Sequence, residues 1–255
     1  MIHACSAIRS CSIEIKTWME KQKNVKEESI TDWLLYKLSS MDSRFYYKAF
    51  TRNEEAQTTG ADWEWWVVFH NVCYRFRIQA KKMNDESKTK QSLGYKKGKQ
   101  LQFLLRDAQN HNALPMYVLY SKNPNFITKC NSRITDEGAF ICSANFIKDN
   151  YLLRVKPKTL FDKVANASLP LSCLINCPLV TNEKDLESFI SEYHLVGSQD
   201  SQLRNKVGRY KIENIPNYLG MFLRSDSGEI DESQFEELKE LKAILISDFR
   251  KPENQ

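Results

Sequence analysis

The sequence predicts an α/β fold: a mixed β-sheet core with helices packed on both faces, followed by a C-terminal α+β extension. Three observations carry this. Apolar residues recur at helical spacing around 30–38 and again around 101–108. Two runs of alternating side chains, ADWEWWVVF and CYRFRIQAKKM, lie between those helices, and the apolar run MYVLYS follows Pro115. With the aromatic- and Thr-rich stretch at 44–59, the order becomes helix, strand, strand, strand, helix, strand, which layers helices on a sheet.

The opening MIHACSAIRSCSIEIKTWMEK turns charged before any apolar run reaches the length of a signal peptide or a membrane span. A cytoplasmic protein with no membrane attachment is expected. The first organised element is KEESITDWLLYKLSS, in which Ile30, Trp33, Leu34 and Leu38 share a helical face and Ser29 is placed to cap the helix, with Asp32 three residues on. Residues 44–59 read as a strand and a polar loop. In the next strand Asp62, Glu64 and Trp66 share one face. In its partner, across a turn at His70 and Asn71, Arg75, Arg77, Gln79 and Lys81 face away from Tyr74, Phe76, Ile78 and Ala80. Two polar rows can therefore meet across a hairpin.

A Lys-rich loop, KKMNDESKTKQSLGYKKGK, leads to a helix over QLQFLLRDAQNHNA, on which Gln102 or Arg106 is the candidate to face the hairpin. Beyond Ser121 the pattern weakens. LPLSCLINCPLV reads as a buried strand and residues 182–193 as a capped helix. ESQFEELKELKAILISDF reads as a helix docking through Phe235, Leu238, Leu241, Ile244 and Leu245. The chain thus divides into an N-terminal segment (1–26), a core (27–125) and an extension (126–255) packed on that core. The extension is also the candidate surface for a homo-oligomer or a partner protein.

Composition bounds the function. Apolar residues at 42% and charged residues at 27% describe a globular chain, and a net charge of +5 permits a polyanionic partner without requiring one. Seven scattered cysteines do not make a disulfide framework. Cys173 and Cys177 are spaced too widely for a zinc knuckle and no histidine follows at a suitable interval, so thiols are expected.

GAD at 60–62 followed by IQAK at 78–81, set on paired strands in this element order, resembles the active-site signature of the PD-(D/E)XK nuclease superfamily. It resembles in particular the Mrr-like restriction endonuclease branch, in which Gln replaces the second acidic residue. The resemblance covers about residues 27–121. It implies an αβββαβ restriction-endonuclease-like core and a metal-dependent nuclease, acting on DNA rather than RNA, in bacterial defence against foreign nucleic acid. It maps the family's metal-binding aspartate onto Asp62 and the second motif onto Gln79, Ala80 and Lys81.

The chemistry fits those residue types. A phosphodiester's charge repels nucleophiles, so hydrolysis needs that charge neutralised and water activated. Asp62, the Gln79 amide oxygen and the Ala80 carbonyl would form an oxygen site suited to Mg²⁺, with Mn²⁺ as a substitute, and Lys81 would orient the water and balance developing charge. Glu64 either joins the metal site or pairs with Arg75 or Arg77 across the hairpin. Glu28 resembles the helix-borne acid of the family, with Glu27, Glu54 and Glu55 as competitors. Lys82, Lys96, Lys97 and Lys99, beside Lys88 and Lys90, are candidates to hold flanking phosphates. Asp62 and Lys81 are expected at an accessible end of the sheet.

Two plainer readings stand beside this one. The polar rows can be an exposed sheet face tied by cross-strand ion pairs, and Trp63, Trp65 and Trp66 can be core residues rather than base-stacking platforms. At the level of function, the alternative is a catalytically silent nucleic-acid-binding or assembly subunit, or a nuclease held silent until a partner releases it.

Overall fold

The structure, a computed structural model, describes residues 4–50, 59–94, 98–126, 136–152, 155–175, 183–192, 207–224, 234–238 and 241–251. Helix α1 (Ala4–Lys21) and helix α2 (Glu27–Met41) precede strands β1 (Phe45–Ala49), β2 (Trp63–Val68) and β3 (Val72–Lys82). Short helix α3 (Thr89–Leu93), helix α4 (Lys99–Asn110) and strand β4 (Leu114–Tyr120) follow. The remainder supplies β5 (Ala139–Ser143), α5 (Ala144–Leu152), α6 (Pro157–Ala167), β6 (Leu169–Pro170), α7 (Glu183–Glu192), β7 (Arg209–Lys211), α8 (Asn217–Arg224) and β8 (Ala243–Asp248).

These strands form one open mixed sheet in the order β1-β8-β2-β3-β4-β5-β6, with β7 pairing the first residues of β3. The β2–β3 hairpin is antiparallel and β3 runs parallel to β4, so the expected order α2-β1-β2-β3-α4-β4 is present. Alternation divides the hairpin between two cores. Trp63, Trp65, Tyr74, Phe76, Ile78 and Ala80 pack with α1, α2 and α7 on one face. Trp66, Val68 and Cys73 pack with α4, α5, α6 and α8 on the other. The three tryptophans are at most 1% exposed and serve as core, not as base platforms.

The structure corrects the C-terminal reading. Residues 243–248 are not part of a docked helix: they are β8, inserted between β1 and β2, parallel to β2 and buried at all six positions. A strand covered on both faces loses the two-residue alternation that would identify it, and its run of apolar residues continued the spacing of Leu238 and Leu241. Chain from both sides of residue 125 therefore builds the same sheet.

Smaller departures have similar causes. Helix α2 starts after Lys26, which leaves Ser29 inside its first turn rather than at its cap. The Lys-rich loop folds around α3, and the 169–175 segment is a two-residue strand running into a 3₁₀ turn. Helix α1 buries Ala7, Ile8, Cys11, Ile15 and Met19 against the α2 face. Cys5, Cys11, Cys73, Cys142 and Cys173 are thiols, and Cys130 and Cys177 lie outside the described residues. Among the described residues no helix is long and apolar enough to cross a membrane.

Candidate functional site

The motif lies where β2 and β8 begin and β3 and β4 finish. Gly60 has φ +67°, and a Cβ there would meet the Gln100 carbonyl at 2.4 Å and the Leu104 amide nitrogen at 2.6 Å. Glycine is what lets the GAD turn lie directly on α4. From that turn the Asp62 amide donates to the Ile78 carbonyl at 2.7 Å, and the Asp62 carbonyl accepts from the Lys242 amide at 2.9 Å. Asp62 is thus fixed between β3 and the entry to β8 before its side chain is considered.

The carboxylate of Asp62 is fully engaged. Its Oδ2 accepts from the Ala80 amide at 2.9 Å and from Gln79 Nε2, while Oδ1 pairs with the Lys242 ammonium. Gln79 Nε2 also donates to the Ala80 carbonyl at 2.9 Å, and Gln79 Oε1 accepts from Gln100 Nε2 at 2.7 Å. One carboxylate, one amide and one main-chain carbonyl therefore converge. Lys81 turns to α2, where its Nζ lies 3.3 Å from Glu27 Oε1, and Glu27 Oε2 accepts the Lys82 amide at 2.7 Å. Burial pushes the Glu27 carboxyl above its ordinary pKa and nearby Asp62 adds to this, against the pull of Lys81.

Glu28, on the same first turn of α2, lies with its Oε1 3.6 Å from Lys242 Nζ. A small recess between α2 and the strand ends is lined by Glu27, Glu28, Asp32, Asp62, Ala80 and Lys242 among others. The expectation of an accessible sheet end is corrected: Asp62 is 6% and Lys81 9% exposed, because α2 closes over the strand ends.

A cation here would draw on the Asp62 carboxylate, the Ala80 carbonyl, Glu28 across the recess and the Gln79 amide oxygen. The last requires a half-turn of the Gln79 and Gln100 amides, whose N and O are assigned by their partners. That turn would keep the Gln79–Gln100 hydrogen bond, now from Gln79 Nε2 to Gln100 Oε1, and would put Gln100 Nε2 in the buried position that Oε1 holds without a partner. Among the described residues no three His, Cys, Asp or Glu side chains gather as a metal-holding group. The oxygen set is one that Mg²⁺, which keeps several of its waters, can use.

Glu64 belongs to a different construction. It is completely buried, and of its two sequence readings the cross-hairpin pairing holds. Arg75 Nε donates to Glu64 Oε2 at 2.7 Å, with Arg77 Nε at 3.4 Å. Trp66 Nε1 and the Tyr218 hydroxyl each donate to Oε1 at 2.5 Å. It is not placed to serve as a metal ligand or a catalytic group, because its lone pairs are consumed and helix α8 covers it.

The lysines divide as well. Lys82 Nζ donates to the carbonyls of Lys23 at 2.7 Å and Val25 at 2.9 Å, so it fastens the α1–α2 turn where a phosphate contact was expected. Lys99 is exposed at the start of α4, while Lys96 and Lys97, like Glu54 and Glu55, lie outside the described residues. Gln100, not Gln102 or Arg106, is the α4 residue that reaches the motif.

Two site residues, Gln100 and Lys242, escaped the sequence reading, and a third was named without its role. Glu27 was a competitor without an assigned partner, and Gln100 was one position of an unknown helical register. Lys242 stood in a supposed helix; the signal that could have found it is the β-branched, apolar AILIS run immediately after it.

A family model, Family of unknown function (DUF6615), matches residues 4–251, and the chain belongs to that family. No curated protein and no solved structure matches it.

Proposed function

We propose that this DUF6615 member is a metal-dependent nuclease with a restriction-endonuclease-like core, hydrolysing phosphodiester bonds of nucleic acid, DNA before RNA. The observation that carries the reading is the meeting of Asp62, just before β2, with Gln79 and the Ala80 carbonyl of β3, with Lys81 on the next residue held by Glu27. The antiparallel β2–β3 pair, the parallel β4 and the flanking α2 and α4 support the same fold reading.

In this reading Asp62, Gln79 and Ala80 would hold Mg²⁺ or Mn²⁺, with Glu28 able to join them. When bound, the ion would supply Lewis-acid stabilisation of the phosphate's charge. The chain's own groups do the rest. The Ala80 amide fixes the Asp62 carboxylate, and Gln100 fixes the plane of Gln79. Glu27 steers the Lys81 ammonium toward the strand end, where it can orient a water and balance charge on a departing oxygen. A place in bacterial defence follows from the resemblance to restriction-type enzymes.

The test is cleavage of plasmid, linear and single-stranded DNA and of RNA with Mg²⁺ or Mn²⁺. Asp62→Asn and Lys81→Ala should each lower the rate at least about a hundredfold, in the range of losing one charge-stabilising group. Cleavage that survives EDTA, or a Lys81→Ala protein as fast as the parent, would defeat the proposal. The second reading, a silent nucleic-acid-binding subunit, draws on the ammonium already seated on Asp62. Tight nucleic-acid binding with no cleavage under any of these conditions would favour it.

A further inference from the structure

Resting on the metal-site reading above, we infer that Lys242 is a built-in competitor for the cation, and that a divalent ion binds Asp62 only when this ammonium withdraws. The backbone sets the arrangement. Lys242 N donates to the Asp62 carbonyl at 2.9 Å and Lys242 O accepts from the Phe50 amide at 2.8 Å, so residue 242 is held in the ladder on both sides. The parallel register of β8 and β2, with Ala243 opposite Trp63, stands Lys242 beside Asp62.

The side chain then has one carboxylate-lined recess to fill. Asp62 Oδ2 accepts from the Ala80 amide in either orientation of the Gln79 amide, and Oδ1 is the atom that Lys242 takes. The same ammonium lies 3.6 Å from Glu28 Oε1, so it bridges the two carboxylates of the expected metal site. Two positive centres cannot share Oδ1 at contact distance without strong repulsion. Withdrawal is open to it: the Lys242 side chain is 30% exposed, sits on a flexible four-carbon stem and lines the recess. Lys81 is unlike it, being 11% exposed and drawn to Glu27.

The consequence is a chain whose metal affinity is set by its own C-terminal segment, and which a partner or substrate phosphate could raise by drawing Lys242 away. Mn²⁺ binding to the full chain, read from the electron paramagnetic resonance of free Mn²⁺, tests this without any cleavage assay. Lys242→Gln should bind Mn²⁺ roughly fivefold tighter than the parent, the gain expected from removing one partly exposed ion pair. Lys242→Arg, which keeps the charge, should stay within about twofold of the parent, and Asp62→Asn should lose saturable binding. Lys242→Met is a second uncharged variant should the glutamine protein fold poorly, with melting temperature recorded for each. Unchanged or weaker binding by the uncharged variants, with binding still dependent on Asp62, overturns the competitor role and leaves the metal site standing. No saturable binding in the parent or any variant overturns both.

Discussion

Asp62 and Glu64 stand two residues apart at one end of β2, and each meets basic side chains, yet they inhabit opposite environments. Glu64 lies beneath α8 with Arg75, Arg77, Trp66 and Tyr218 closed around it, and Arg75 is stacked 5.3 Å from the Trp66 ring. Asp62 lies at the strand end beside a recess, and its Lys242 partner keeps a partly exposed side chain. The comparison teaches that a row of polar residues on a strand is not one site. Sealing makes a structural ion network. A buried carboxylate whose partner is a lysine with a partly exposed side chain beside a recess keeps the exchange on which the proposed metal site depends.

The largest expected effect is on the sealed side. Glu64→Gln removes the anion that Arg75 and Arg77 share, leaving them Glu237 at 2.7 Å and Asp107 at 3.1 Å on the edge of the network, and should cost about 3 kcal/mol. Asp62→Asn keeps an acceptor for the Ala80 amide and should cost less than about 2 kcal/mol. Denaturant unfolding of both checks the contrast, and equal losses would erase it. The acid limb carries the same signature. Burial alone would raise the Glu64 carboxyl, but Arg75, Arg77 and the Tyr218 hydroxyl overcome it and hold its pKa below the ordinary carboxylate range. Its contribution is therefore present above the unfolded value of about 4.3 and is lost as pH falls through the lower folded value. Unfolding midpoints of the parent and Glu64→Gln should converge on acidification.

A smaller effect is expected at Tyr218, whose hydroxyl donates to Glu64 Oε1. Tyr218→Phe removes a buried bond to a charged group and should cost about 2 kcal/mol, without altering Mn²⁺ binding at Asp62. Loss of that binding in a folded Tyr218→Phe protein would show the two clusters to be coupled.

The smallest effect lies at the rim of the sealed cluster. Asp107 accepts from His111 Nδ1 at 3.0 Å and also lies 3.1 Å from Arg77 Nε. The hydrogen bond to Asp107 raises the His111 pKa against burial and the nearby Arg77. A raised folded value means that stability is full below the unfolded value of about 6.5 and is lost as pH rises through the folded one. Thermal melts between pH 5.5 and 8.5 should show His111→Asn weaker than the parent at the acid end by roughly 0.5 kcal/mol, with the gap closing toward pH 8.5. A gap that widens with pH would reverse the assignment.

The sequence by itself determined what rests on neighbours close along the chain. The helical spacing of Ile30, Leu34 and Leu38 specified α2, and the alternation of 72–82 specified which side chains of β3 share a face. The GAD and QAK segments, on strands joined by a short turn, were bound to meet across the hairpin. The tertiary structure decided everything that depends on which surface arrives from far away. Lys242 reaches Asp62 only because β8 enters between β1 and β2, and Glu64 is sealed only because α8 brings Tyr218 over it. Glu27 rather than Glu28 takes Lys81 because of where α2 begins above the strand ends. The physical reason is that periodicity records how many faces of a segment are buried, not against what, and AILIS buried on both faces reads alike as strand or helix. Pairing between residues 62 and 242 is settled by the fit of the whole sheet, for which no local pattern is a proxy.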